Sequence, residues 1–365
     1  MLLKDIRVLD LSTLLPGPLC SMLLADLGAE VIKVESPKGD MMRNFEDSFF
    51  KTLNRSKKSI VIDLKTAEGK KIFKRLAKNA DVIIEGFRPG KLDSLGLGYS
   101  EIKKINQDII YCSVTGYGHK GKNKDKAGHD LNYSALSGML RMINEKPIVP
   151  GIQIADVSSA LVAAFSVLAS LFQRERSGRG SYVDVSIFNS ALLFVGIHIA
   201  KYSSNEKFNS ILSGNSPCYN IYETKDGKYM SLCAVEQKFW ESFCKSVSRK
   251  DILKKQFDSN SLLELRNIFK NKTLKEWVGL NSRFDFCCEP VKDLNEVIRD
   301  NKESIVMMEG IAQAAFPAIF TSLKPRYKKS PKLGENTYEI LRSLGYNKKG
   351  IENLKNRKIV SYGKT

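Results

Sequence analysis

The sequence predicts an α/β protein: a doubly wound parallel sheet in a large domain, followed by a smaller α+β domain. Three observations carry this. Short apolar runs alternate with helical patterns through the first half. The stretches between them are long enough for crossover helices, which parallel strands require. After a polar, turn-rich stretch at 203–217 the texture changes to a hairpin followed by amphipathic helices. At 365 residues the chain also exceeds the usual size of a single core, so two domains are expected.

The elements follow in order. RVLDL (7–11) reads as a first strand, STLLPGP as a turn, and GPLCSMLLADLG as the helix after it. AEVIKVE (29–35) and SIVIDL (59–64) are the second and third strands. A helix opens after Thr66, with Glu68 in its first turn and an apolar stripe of Ile72, Phe73 and Leu76. DVIIEGF and DIIYCSVTGYG supply two more strands around the helical KLDSLGLGYSEIKKIN. A long apolar helix runs from Asp156 to about Arg176, SYVDVSI is another strand, and FNSALLFVGIHIAKY is a second long helix. YNIYETKDGKYMSLCAV reads as a β-hairpin turned at Lys225-Asp226-Gly227, and from Lys324 the chain reads as a basic, loop-like tail. The expected boundaries are 1–200 for the large domain, 201–217 for a linker, 218–315 for the small domain and 316–365 for a C-terminal segment.

Composition narrows the function classes. The 42% hydrophobic and 27% charged residues suit an ordinary globular protein. Lys4, Asp5 and Arg7 interrupt the N-terminus, so it has no signal-peptide core, and ALVAAFSVLASLF (160–172) is too short and Ser-dotted to span a bilayer. The expectation is a cytoplasmic protein without a membrane partner. Seven scattered cysteines, an odd number without a CxxC pair, point to reduced thiols and no metal site. The net charge of +18 raises the question of nucleic acid. However, the lysines are dispersed and no aromatic residues interleave with them as a stacking platform, so no nucleic-acid partner is expected.

The Rossmann-like start invites a nicotinamide site, but Pro16 and Pro18 occupy the turn that a G-x-G-x-x-G loop would need, and no P-loop is present. Three ionisable residues stand out instead. His129 follows Gly128 in AGHDLNY, just after a strand and a basic loop. Asp156 opens the long apolar helix, where an N-cap is its plainest role and a helix start with free N–H groups, suited to an oxyanion, is the functional one. Glu236 stands where a strand passes into a helix. Taken singly, each is most simply structural. His119 and His198 read as packing or solvent residues.

Taken together, RVLDLSTLLPGPLCSMLLADLGAEVIKVESPKGD, NRSKKSIVIDLKTAEGKKIFKRLAKNADVIIEGFRPGKLDSLGLGY, SGRGSYVDVSIFNSAL and PKLGENTYEILRSLGY resemble the family III CoA-transferases, almost end to end. AGHDLNYSALSG, AVEQKFW and FDFCCEPV resemble the α-methylacyl-CoA racemase branch of that family. The resemblance implies that His129 and Asp156 are the paired acid/base residues that flank the α-carbon, and that Glu236 hydrogen-bonds the histidine. It implies racemisation of a 2-methylacyl-CoA, with transfer of CoA through an acyl-Asp156 intermediate as the alternative. A non-enzymatic basic binding protein is a distant third reading. No cofactor is implied, since CoA is part of the substrate, and the basic surface suits that polyanion. CoA is expected along Ile62, Lys65, Gly86, Phe87, Arg88 and the run Gly128, His129, Asp130, Leu131, Asn132 and Tyr133. Ser36 stands where racemases commonly carry an Arg for the CoA 3′-phosphate, which leaves Lys33, Lys38 or Arg43 to replace it. The family further implies an interlocked homodimer and a C-terminal segment that returns to the large domain.

Overall fold

Strand β1 (Arg7–Asp10) runs through the middle of the main sheet, and its two apolar residues face opposite ways. Val8 enters one hydrophobic cluster and Leu9 another, both fully buried. This is the period-2 alternation of a strand covered on both faces, and it explains why the adjacent Val8 and Leu9 of RVLDL are both apolar. The computed structural model describes residues 2–144, 146–204, 211–321 and 324–362.

Strands β2 (Glu30–Glu35), β3 (Lys58–Ile62), β4 (Val82–Glu85), β5 (Ile110–Thr115) and β6 (Tyr182–Ser186) join β1 in parallel. The order is β3-β2-β1-β4-β5-β6, so the winding reverses between β1 and β4. A crevice opens at the carboxyl ends of those strands, the usual place for a ligand in such sheets. The crossover helix Ala67–Lys78 shows why the sequence signals hold. Thr66 caps it by accepting from the Gly69 N–H at 3.0 Å, and Ile72, Phe73 and Leu76 bury its inner stripe.

Three local expectations change. The helical stretch 91–106 breaks into Lys91–Ser94 and Tyr99–Lys103, because Gly96 takes φ +70° between them. The tail after Lys324 is not loop-like throughout. It forms helices Thr337–Ser343 and Lys348–Asn356 and then β12 (Val360–Ser361), which pairs antiparallel with β3 as a seventh strand. The apolar run at 160–172 belongs to a longer helix, Ile154–Ser177. Its 24 residues are long and apolar enough to cross a bilayer, yet its inner face packs on helix Pro16–Asp26, β5 and β6.

The chain divides into a larger unit of residues 1–196 with 303–365 and a smaller one of residues 197–302. In the smaller unit β7 (Tyr219–Glu223), β8 (Tyr229–Cys233) and β9 (Cys288–Pro290) form an antiparallel sheet, with Gly227 at φ +70° in the hairpin turn. Its core is aromatic: Phe269 stacks on Trp277 with centroids 4.4 Å apart, and Phe243 and Trp240 continue the stack. The antiparallel ribbon β10 (Ile305–Met308) and β11 (Ile311–Ala314) groups with the larger unit. There the buried Arg55 donates to Asp26 at 2.6 Å and to the Ala314 carbonyl at 2.8 Å, which ties the ribbon to the end of helix Pro16–Asp26.

Candidate active site

At the carboxyl ends of β1, β4 and β5 lies a cleft of about 340 Å³. Ser12, Thr13, Leu14, Gly86, Phe87, Arg88, Thr115 and Gly116 line its strand side, and Lys124, Lys126, Gly128, His129, Tyr133 and Asp156 its other walls. A buried ionic cluster holds the loop after β1. The Ser12 N–H donates to Asp10 Oδ1 at 2.9 Å, and Ser12 and Ser21 hydroxyls donate to the same carboxylate. Lys57 Nζ lies 3.0 Å from Asp10 and also donates to the Pro18 carbonyl. Burial by itself would raise the Asp10 pKa, but Lys57, Lys33 and the two serines hold it well below the usual carboxylate range. Burial pushes the Lys57 ammonium down to about 8, partly offset by Asp10.

Opposite that loop the chain is pinned around an exposed imidazole. His129 precedes helix Asp130–Leu136, and its N–H donates to Asn132 Oδ1 at 3.0 Å. Tyr133 is buried, and its O–H donates to the Gly128 carbonyl at 2.7 Å. A Cβ added at Gly128 would approach the Tyr133 ring to 2.8 Å, and one at Gly116 would run into its hydroxyl. The two glycines are therefore required by the close approach of this ring.

Asp156 reaches the same cleft from helix Ile154–Ser177. It is not the N-cap, the plain role read from the sequence. Gln153 occupies that position and Asp156 sits three residues on, in the first turn. Its carboxyl is pushed up to about 7 by burial and then by the nearby Asp130. The helix start is also less open than expected, because the Asp156 N–H already donates to Asp130 Oδ1 at 3.0 Å. A carboxyl that titrates near neutrality suits a group that must both take and return a proton.

Of the residues expected along CoA, Gly86, Phe87, Arg88, Gly128 and Tyr133 line this cleft. Ile62, Lys65 and Phe87 line an adjoining cavity of about 210 Å³ that shares Ser12 and Thr13 with it. Asp130 and Asn132 are engaged in the helix-start contacts, and Leu131 is 40% exposed. Among the candidates for the 3′-phosphate, Lys33 is buried and paired with Asp40 at 2.8 Å, and Arg43 is held by Glu35 at 2.7 Å. Lys38 remains exposed, and Lys91 lines the same cavity as Lys65. Glu236 stands on the smaller unit, exposed, just before helix Gln237–Ser246.

Several lining residues escape sequence reasoning. Lys124 and Lys126 carry a signal, the lysine-rich run before AGH, that reads as ordinary surface. Thr115 and Ser12 carry none, since each is one small polar residue at the end of an apolar strand. Glu85 is another. Burial pushes its carboxyl up to about 7, and its Oε2 accepts the Phe87 N–H at 2.8 Å, which fixes the 86–88 loop. His119, expected to pack or face solvent, is half-buried with Nε2 2.8 Å from Ser113 Oγ.

The model of a family described as CoA-transferase family III matches residues 3–337. The alpha-methylacyl-CoA racemase of Homo sapiens is 34% identical over 387 aligned positions, covering 100% of this chain and 99% of that protein. The (R)-2-hydroxy-4-methylpentanoate CoA-transferase of Clostridioides difficile is 32% identical over 400 positions, covering 99% and 100%. A solved CAIB/BAIF family protein from Brucella suis superposes with a TM-score of 0.84 at 26% identity, covering 94% of this chain and 99% of that one.

Proposed function

Because the chain belongs to CoA-transferase family III, we propose that it racemises 2-methylacyl-CoA thioesters at the α-carbon. The observation that carries this is the meeting of His129 and Asp156 in one cleft. Inversion at carbon needs a base on one face and an acid on the other, each able to exchange roles for the other enantiomer. An Asp156 carboxyl at about 7 is divided between its two forms at neutral pH, which that exchange of roles needs. The thioester itself acidifies the α-proton, so no further cofactor enters the scheme. Lys124 and Lys126 at the cleft, with Lys65 and Lys91 in the adjoining cavity, supply positive charge for the CoA phosphates.

The experiment is α-proton exchange. Incubated in D₂O with (2R)-2-methylacyl-CoA, the protein is expected to wash deuterium into the α-position with loss of chirality. His129→Ala and Asp156→Asn should each lower that rate about 10²–10⁴-fold. The second reading is CoA transfer, in which Asp156 attacks the thioester carbon, CoA thiolate leaves and an acyl-aspartyl anhydride forms. What favours it is the transferase similarity, nearly as high as that to racemases. Absence of exchange across several acyl chains, with an acyl adduct on Asp156, would establish it instead.

Assembly as a homodimer is part of the same proposal. The 154–177 helix exposes Leu161, Phe165 and Phe172, and the preceding segment exposes Val149 and Ile152. An apolar face of this extent calls for a cover, and a second copy of the chain is the proposed one.

A further inference from the structure

We propose that Thr115 positions the substrate for proton transfer, its hydroxyl donating to the thioester carbonyl oxygen that becomes the enolate. This rests on the acyl-CoA reading above and deepens it. Thr115 is the last residue of β5, 5% exposed, and lines the cleft that holds His129 and Asp156. Its Oγ1 is buried and has no hydrogen-bond partner among the described residues.

Such a hydroxyl is a net cost to the fold, because a buried donor without an acceptor loses its hydration and gains nothing back. Valine has the same shape and would fill the position without that cost. The cost is met when a ligand brings an acceptor. The other buried hydroxyls on the cleft wall are already engaged: Ser12 donates to Asp10, and Tyr133 donates to the Gly128 carbonyl at 2.7 Å. Ser113, two residues earlier on the strand, is held by Glu85 and by His119 at 2.8 Å. Thr115 therefore keeps an open donor where its neighbours do not.

The chemistry needs one. As the base removes the α-proton, the C–H electron pair forms the Cα–C double bond and the carbonyl π pair moves onto oxygen. Negative charge thus grows on that oxygen, and reprotonation at carbon returns it. At the start of the 154–177 helix the Asp156 N–H is already spent on Asp130. A hydroxyl donor to the oxygen strengthens as charge develops, so it lowers the barrier more than it tightens binding. Thr115 keeps its own proton throughout.

The test compares Thr115→Val and Thr115→Ser with the unaltered protein, using Asp156→Asn as the inactive control. Expected for Thr115→Val is an α-proton exchange rate at saturation about 10- to 100-fold lower, the loss of a hydrogen bond to a charged group. KM and the thermal shift on adding CoA should hardly move, and Tm without ligand should be equal or higher. Thr115→Ser should restore most of the rate. A Thr115→Val protein that exchanges at the full rate overturns the assignment and leaves the racemase reading standing. So does a rise in KM with the saturated rate unchanged, which would place the hydroxyl against another part of CoA. A lowered Tm that serine does not rescue also overturns it, making Thr115 a packing residue. Absence of exchange in the unaltered protein brings down the racemase reading itself, and Thr115 with it.

Discussion

Asp156 shows what one side chain's surroundings do to its chemistry. In the unfolded chain its carboxyl titrates near 3.8; in the fold, burial and Asp130 raise it to about 7. A raised pKa means that the stability this group contributes is fully present below about 4 and is lost as pH rises through about 7. Asp156→Asn should therefore flatten the fall in stability between pH 5 and pH 8, on the order of 2 kcal/mol, since one pKa unit is worth about 1.4 kcal/mol. Urea unfolding of both proteins at the two pH values measures this, and equal slopes would refute it. Lys57 illustrates the reverse balance. It is a buried cation kept beside Asp10, and Lys57→Met should cost about 3–5 kcal/mol because Asp10 is left buried without its partner. A urea midpoint for Lys57→Met close to that of the unaltered protein would contradict it. The sequence marks Asp156 by its place at the start of an apolar helix, but not its pKa, which comes from burial and from Asp130, 26 positions earlier.

The elements themselves were largely legible. The inner strands of the parallel sheet coincide with largely apolar runs of the sequence, because a strand covered on both faces cannot hide its composition, whereas the edge strand β6 is partly exposed and alternates. The failures have local causes. Gly96 at φ +70° splits a stretch whose apolar spacing alone suits one helix. The C-terminal helices lie in a basic segment that reads as loop, and the first of them is anchored by contacts the sequence does not advertise: the Asn336 side chain accepts the Ser59 N–H at 3.0 Å and Thr337 accepts the Val61 N–H at 3.0 Å. Gly116 is an element-scale constraint of the same kind, since the end of β5 must pass against Tyr133. Gly116→Ala should displace that ring, cost about 1–3 kcal/mol and reduce exchange activity. Thermal unfolding and the D₂O assay read the two effects, and an active, equally stable variant would show that the strand end can yield.

At the scale of the molecule, two apolar surfaces behave differently. The clusters on either side of the main sheet are closed by this chain's own helices. The outer face of the 154–177 helix is not, with Phe165 74% exposed. If a second copy covers it, Phe165→Asp should convert a dimer into a monomer in light scattering, without loss of helical circular dichroism. An unaltered protein that is already monomeric at micromolar concentration would remove the dimer from the proposal.

Strand and helix periodicity, the absence of a glycine-rich phosphate loop, and the AGHDLNY and AVEQKFW motifs all reside in the order of residues, so that order by itself determined fold class, family and candidate acid/base residues. Such features depend on neighbours along the chain. Only tertiary structure could bring Asp130 to the Asp156 N–H, bury Lys57 against Asp10, spend Lys33 on Asp40 and leave Thr115 without an acceptor. Charge and hydrogen bonding act over a few ångströms of space, and residues that close together can be tens of positions apart in sequence.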